Sequence, residues 1–409
     1  MLVNYFKIAI AVLKRRKFFT FISIFIISFT ITILVVLAAF IDKVVNDTYP
    51  DRNRSRLLYI TKFEESGPQS MNSGALSFYY LNRYVKTLKR PARIAISSRP
   101  QGTNTYVNNK KISINYKYTD AAYWEVLDHD FLEGKPFTAQ QLANGERVAV
   151  ISERLRKEYF GNAPSVVGQY IEADAVRYRV CGIMKSVPPS NYLFSGDLFL
   201  PYTVAKTDIA SSKDYRGNFI CVLEAPTRAD VPAMKAEYEQ MAARLPMTNN
   251  QYTHIYTHAD SYLNAYLRSG NEKKSGMRIV STVVTIFVLL VMLLPAMNLV
   301  NINVTRIMER SSEIGVRKAF GASSKVLAGQ FIIENLILTL ISGLVSVVLS
   351  LIALQLINRA NLLNDLHLSL NFNVLLVTLL ACLVFGLLSG AYPAWRMSRM
   401  QVINALKAS

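Results

Sequence analysis

FFTFISIFIISFTITILVVLAAF, Phe18 to Phe40, runs for 23 residues without a charge, and it decides the class of the protein. A helix of about 20 apolar residues crosses a hydrocarbon core ~30 Å thick. Three more runs of that kind follow. Ile279–Val304 has 26 residues and no charge, Phe372–Trp395 has 24 and none, and Phe331–Ile357 has 27 with Glu334 as its one acid. The sequence therefore predicts a membrane protein with four transmembrane α-helices. The first run follows a basic stretch, as a signal peptide does, but a cleaved signal has an apolar core of only ~7–15 residues. It reads as a retained anchor. Before it, Tyr5, Phe6, Ala9, Val12 and Leu13 share one side of a helix that lies along the inner interface or simply begins the first span.

The formal charge of +18 follows the expected topology. Lys7, Lys14, Arg15, Arg16 and Lys17 precede the first span with no acid among them. Arg306, Arg310, Arg317, Lys318 and Lys325 lie between the second and third runs, and Arg396, Arg399 and Lys407 close the chain. Lys and Arg collect in cytoplasmic segments beside span ends, so both termini and the 305–330 segment are expected on the cytoplasmic side. The order is then an interfacial helix at 1–17, spans at 18–41, 276–304, 331–357 and 372–395, an external domain at 42–275, an external loop at 358–371 and a cytoplasmic tail at 396–409. Residues 42–275 hold 31 cations and 24 acids. That mild excess, with the rest accounted for by topology, argues against nucleic acid as a partner.

The external segment reads as α+β. The stripe Leu76, Tyr80, Leu81, Tyr84, Val85 and Leu88 predicts an amphipathic helix over 73–90. ARIAISS is a strand, and TNTYVNNKKISINYKYTD a hairpin about Asn-Asn-Lys. ERVAVISERLRKEYFG is a strand and a helix closed by Gly161, and RYRVCGIMKSV another strand. A helix begins at Asp230 with Pro232 in its first turn. Tyr79, Tyr80, Tyr84, Tyr116, Tyr118 and Tyr123 are either core or a surface for apolar cargo. Cys181 and Cys221 suit a disulfide or two buried thiols equally.

Enzyme chemistry is not legible. G-x-x-x-x-G-K-[ST] is absent, because GASSKVLAG lacks the required ending, and so is G-x-S-x-G. His254 and His258 stand in an alternating YTHIYTHAD strand without a third ligand, so no metal site is assigned. Asp128 and Asp130 are too ordinary a pair to carry a hydrolase assignment. Within the spans, Pro295 frees a backbone carbonyl and is a kink candidate. Glu334 is an intramembrane acid, expected to act as an interfacial anchor that reaches water or the basic loop.

The stretch MERSSEIGVRKAFGASSKV (308–326) is more ordered than a connector requires. Ser311 or Ser312 can cap a short helix with Glu313 in its first turn and Lys318 near its end. Gly321 suits the position just past that end, and Ser323 or Ser324 can cap the third span. Ile314, Arg317, Lys318 and Gly321 fall on neighbouring positions, an apolar knob flanked by cations.

The run DAAYWEVLDHDFLEGKPFT…GERVAVISERLRKEYFGNAPSVVGQYIEADAVRYRVCGIMKSVPPSN…FLPY resembles the external core domain of MacB-type permeases. ERSSEIGVRKAFGASSKVLAGQFIIEN and GAYPAWRMSRMQVINALKA are similar to the signature loop and ending of the wider FtsX/MacB family. The resemblance runs in order along essentially the whole chain. It implies the permease subunit of an ABC transporter that moves its external domain by mechanotransmission, exporting or extracting a cargo. The alternative is an FtsX-like regulator of a periplasmic enzyme that transports nothing. The resemblance also implies that Glu309, Glu313, Ile314, Gly315, Arg317, Lys318, Ala319, Phe320 and Gly321 couple to an ATPase. With 17 residues before the first span, that ATPase is expected as a separate subunit, which binds the ATP and Mg; no cofactor is expected on this chain. Further expected partners are membrane lipid and a second permease copy, the same or related, with a periplasmic adaptor left open.

Overall fold

The computed structural model describes residues 15, 17–45, 49–107, 109–188, 191–206, 212–268, 276–309, 316, 320, 323–360 and 368–370, and in the last apolar run 372, 373, 375–380, 383, 384 and 387. Apart from Arg15 and Lys17, the helix expected over 1–17 lies outside them, as do 361–367, Cys382 and the tail 396–409. The chain forms two compact units. One comprises 1–42, 280–363 and 367–409, and the other 43–279 with 364–366.

The helix α1 (Lys17–Val45) leads toward the external unit. That unit opens with β1 (Leu57–Ile60), β2 (Phe63–Ser66), β3 (Met71–Leu76) and α2 (Phe78–Arg83). Next come β4 (Arg93–Ser98), β5 (Gln101–Val107), β6 (Lys110–Thr119), α3 (Tyr123–Val126), β7 (Phe131–Gly134) and α4 (Ala139–Ala143). β8 (Val148–Ser152), α5 (Glu153–Phe160), β9 (Tyr170–Ala173), β10 (Val176–Met184) and β11 (Leu198–Pro201) form the middle. β12 (Arg216–Gly217), β13 (Phe219–Glu224), α6 (Val231–Ala242), β14 (His254–Thr257) and α7 (Tyr262–Leu267) complete it.

The strands join in the order β14-β2-β3-β13-β4-β6-β11-β8-β10-β7, with β1 beside β13, β12 beside β3, β5 beside β6 and β9 beside β10. Two pairings are parallel, β6 with β11 and β8 with β10. Side chains alternate across a strand, and here both faces are covered. Leu58, Ile60, Ala149, Ile151, Cys221 and Leu223 enter one core with Tyr80, Leu155 and Tyr238 of α2, α5 and α6. Leu57, Tyr59, Val148, Val150, Ile220 and Val222 enter the other with Tyr123, Leu142 and Tyr262 of α3, α4 and α7. Double burial is why VAVI (148–151) and FICVL (219–223) are continuous apolar runs without the polar alternation of a half-exposed strand.

Local signals set the helix ends. Ser152 Oγ accepts from Leu155 N at 3.1 Å, and Gly161 closes α5 at φ 63°, a conformation that favours glycine. The helix expected over 73–90 forms only in part. Residues up to Leu76 are strand, Ser77 Oγ accepts from Tyr80 N at 2.9 Å to start α2, and a 3-10 turn spans Val85–Thr87. The cap and the pairing of β3 with β2 take the first turn away from the helix. The predicted stripe still points inward, since Leu76, Tyr80, Leu81 and Val85 are all buried.

In the other unit, α8 spans Met277–Glu309 and α9 spans Ser324–Arg359. Lys17–Lys43 and Ile332–Arg359 are long and apolar enough to cross a membrane, and Met277–Leu293 is a shorter apolar stretch among the described residues. Ile27, Ile31, Leu34 and Val35 of α1 and Ile337 and Leu338 of α9 are buried, but part of the burial runs opposite to that of a soluble bundle. On α9, Asn335, Thr339, Ser342, Ser346 and Ser350 are buried while Leu340, Leu344, Val348, Leu351 and Leu356 are exposed; on α1, Ser23 and Ser28 are buried while Phe18, Phe21, Phe25 and Phe29 are exposed. Most of these inward hydroxyls are satisfied within their own helices: Thr339 donates to Asn335 O at 2.9 Å, Ser342 to Leu338 O at 2.8 Å and Ser23 to Phe19 O at 2.8 Å. Small, self-satisfied side chains inside and bulky apolar ones outside are the arrangement that lipid as solvent favours. A Cβ at Gly343 would stand 3.1 Å from Leu379 Cδ2. Gly343→Leu should therefore cost about 1–3 kcal/mol by overpacking, read as a lower denaturation midpoint of the full chain in detergent. Leu344→Ala, on the exposed face, should leave it nearly unchanged.

Candidate functional site

The segment expected to couple to an ATPase lies between α8 and α9. α8 continues unbroken past Pro295 and ends at Glu309. Within that helix Pro295 has no N–H to offer the Val291 carbonyl. α9 starts at Ser324 with Ser323 as its cap, whose Oγ accepts from Val326 N at 3.4 Å. Helix thus runs further into 305–330 from both sides than the span boundaries imply. Glu313, Ile314, Gly315, Arg317, Lys318, Ala319 and Gly321 lie outside the described residues, as do Ser311 and Ser312. Phe320 is described. Its N–H donates to Val316 O at 3.0 Å, the spacing of one helical turn, and its side chain is 89% exposed. A phenylalanine uncovered to that degree is the type of anchor a protein partner buries.

Glu334 differs from the expectation of an anchor reaching water, for it is only 1% exposed. It lies one turn before Leu338, which packs with Ile24 of α1, and residues four apart share a helix face. The carboxylate thus sits on the side of α9 that meets another helix.

In the external unit the tyrosines resolve as core. Tyr80 and Tyr118 are buried in the first core, against which Tyr79, Tyr84 and Tyr116 pack, and Tyr123 is buried in the second. His254 is exposed and stacks on Tyr256 with ring centroids 6.1 Å apart, whereas His258 lies beyond β14 and is half-buried. Among the described residues, no three His, Cys, Asp or Glu side chains group to hold a metal. Cys181 and Cys221 are free thiols, and burial pushes Cys181 up to about 11. Asp130 pairs with Arg52 at 2.6 Å and Asp128 accepts from Asn53 at 3.2 Å, so both serve the turn before β1.

Lys117 escaped the sequence reading. On β6, Ile112, Ile114 and Tyr118 face one core, and simple alternation would put Lys117 in water. The other face is covered too, by Tyr123, Phe194 and Phe199. Lys117 is fully buried, its Nζ donating to Leu193 O at 2.5 Å and standing 6.0 Å from the Tyr123 and Phe194 ring centres. Burial lowers its pKa from 10.5 to about 7. Burial, aided by Lys117, also holds His129 down to about 3.

Residues 18–241 match the family described as the MacB-like periplasmic core domain, and residues 285–402 match the FtsX-like permease C-terminal family. The first match takes in more than half of the chain. The chain belongs to the MacB-like periplasmic core domain family. With the FtsX-like region following, it is an ABC transporter permease of the MacB/FtsX superfamily, a membrane protein with an extracytoplasmic MacB-like domain. It is 25% identical over 336 residues to the macrolide export ATP-binding/permease protein MacB of Acinetobacter baylyi, covering 78% of this chain and 48% of that protein. It is 22% identical over 400 residues to the ABC transporter permease YknZ of Bacillus subtilis, covering 96% of this chain and 95% of that one. The chain thus spans about half the length of its MacB relative. The periplasmic region of MacB from Actinobacillus actinomycetemcomitans aligns at a TM-score of 0.37 and 15% identity, over 53% of this chain and 94% of that one.

The lowered Lys117 has a consequence in the MacB-like domain. Between about pH 7 and 10.5 the unfolded chain holds a proton there that the folded chain lacks, so this group's contribution to stability rises with pH. Lys117→Met removes that slope. Chemical denaturation of the full chain in detergent from pH 7 to 10 should show wild type gaining on the variant by up to about 1.4 kcal/mol per pH unit; parallel profiles would contradict it.

Proposed function

We propose that this permease is the force-transmitting subunit of an ABC transporter. A separate ATP-hydrolysing subunit, which holds the ATP and Mg, docks on the cytoplasmic segment between Glu309 and Ser323. Its closure is passed through the spans to the external domain, which exports or extracts a cargo without a pathway between the helices. Four spans, cytoplasmic termini and a second permease copy complete the assembly, and a periplasmic adaptor fits on the external side.

The observation that carries this reading is the continuity of α8. Its 33 residues amount to a rod of about 50 Å, longer than the ~30 Å of the hydrocarbon core. A push at its Glu309 end therefore travels along hydrogen-bonded helix. Phe320 supports the reading as the anchor, with Glu313, Ile314, Gly315, Arg317, Lys318, Ala319 and Gly321 beside it in sequence. The likeness to the ABC transporter permease YknZ over 95% of that protein supports an ATPase on another chain.

Tagged full-length permease should co-purify with an ABC ATPase and stimulate its ATP hydrolysis in nanodiscs. Phe320→Ala and Arg317→Glu should each reduce the stimulated rate roughly tenfold, the size of effect expected from losing one interface anchor, with the denaturation midpoint unchanged. Stimulation equal to wild type in both variants would sink the assignment of this segment.

A further inference from the structure

The external unit is inserted between two membrane-directed helices, so its chain comes in after α1 and goes out before α8. The incoming turn and β1 meet the outgoing β14–α7 region in a buried polar network. Arg54 donates through Nε and Nη2 to Asp51 Oδ2 and Oδ1 at 2.8 and 2.9 Å. Tyr59 OH donates to Asp51 Oδ2 at 2.9 Å, and Asn191 Nδ2 to Asp51 Oδ1 at 3.4 Å. From the outgoing side, Tyr262 lays its ring under the Arg54 guanidinium, 3.8 Å from the centroid, and donates its hydroxyl to Asn191 Oδ1 at 3.1 Å. Asp51, Arg54, Tyr59, Asn191 and Tyr262 are all buried.

The backbones are joined as well. Tyr59 N donates to Asp260 O at 2.7 Å and Asp260 N to Tyr59 O at 3.0 Å. The buried Asp260 carboxylate binds Arg268 at 2.5 Å and Lys235 at 3.5 Å. Thus α7 is fixed at its first residue through Tyr262 and just past its last through Arg268. The outgoing strand β14 is otherwise weakly held, because it pairs only with β2, over His254–Thr257. A short edge strand pulled from one end peels unless its far side is tied down. Here the tie is the Tyr262 ring on Arg54 and the Tyr262 hydroxyl on Asn191; the Arg54–Asp51 fork, which fixes direction as well as distance, holds the guanidinium against that ring, and separating the fork leaves a buried charge unpaired. Burial pushes the Asp51 carboxyl up while Arg54 and Tyr59 pull it down, and the four donors on its two oxygens suit the ionised form.

We infer that Asp51, Arg54, Asn191 and Tyr262 form a latch that locks the incoming and outgoing ends of the external domain together, so that helix movement displaces the domain whole and does not peel its edge. These are positioning residues, and the inference rests on the force-transmission reading above. Its outgoing half lies between residues 241 and 285, outside both family matches.

The test uses the full chain with its co-purified ATPase in nanodiscs, its three cysteines replaced by alanine, and spin-label pairs read by pulsed dipolar spectroscopy. One pair, at Val45 and Met277, reports whether ATP moves the membrane helices. A second, at Asn53 and Tyr266, spans the latch. In wild type the helix pair should shift on trapping with ATP and vanadate while the latch pair stays unchanged. In Asp51→Asn, and separately in Tyr262→Phe, which removes one hydroxyl and keeps the ring should the first fail to fold, the latch pair should broaden about twofold or more with ATP only, as local opening under load requires. ATP turnover should persist. A latch pair that stays narrow through the cycle in Tyr262→Phe and in any folded Asp51→Asn overturns the latch. Equal broadening with and without ATP also overturns it, making the network ordinary core packing. An unmoved helix pair in wild type instead defeats the force-transmission reading, and the latch with it.

Discussion

A chain that leaves one apolar helix and returns to another must close its inserted domain on itself, and the pairing of Tyr59 with Asp260 is where that closure is made. The rest of the external unit is arranged around it. β1 pairs along its length with β13, which places the incoming strand beside the sheet centre. β14 then needs only four residues to join the edge at β2. Helices on both faces follow from the alternation of two apolar sets along β1, β8 and β13, because neither set can be left in water.

The ion pair beneath that closure is a geometric device before it is a source of stability. Taking Asp51 and Arg54 out of water costs several kcal/mol per ion before their attraction offsets it. What the pair secures is direction: a fork, a hydroxyl and an aromatic face together admit one arrangement of two chain segments. Lys117 follows a similar logic under the 191–197 segment, where one buried amine fixes the Leu193 carbonyl. Both are ionisable groups that a two-faced core retains for position.

The helical unit obeys a different solvent. Lipid is as apolar as leucine, so hydrophobic burial does not gather its helices, and close approach of small residues does. The inward Thr339, Ser342 and Ser346 and the contact of Gly343 with Leu379 meet that requirement. Phe18, Phe21, Phe25 and Phe29 of α1 and Leu340, Leu344, Leu351 and Leu356 of α9 are left outside, as they would not be in water. Glu334 belongs to the inner side of this arrangement, where it is buried from solvent.

The sequence alone determined the membrane class, because uncharged runs longer than a bilayer are scarcely compatible with any other solvent. It also determined local features governed by neighbours in the chain: the strand and helix of 147–161, the hairpin of β5 and β6, a serine cap at the start of α9 and the family pattern spread along the chain. The helix over 73–90 was half legible, since its stripe was read correctly but not the cap and strand pairing that shorten it. Only tertiary structure could decide that the tyrosines are core, that Cys181 and Cys221 remain apart, that Lys117 lies inside and that Asp51 meets Tyr262. Each depends on what covers a second face or on residues far apart in the chain. In YPDRNRS, Asp51 and Arg54 look like any polar turn; the return of the chain some two hundred residues later turns them into a buried ion pair.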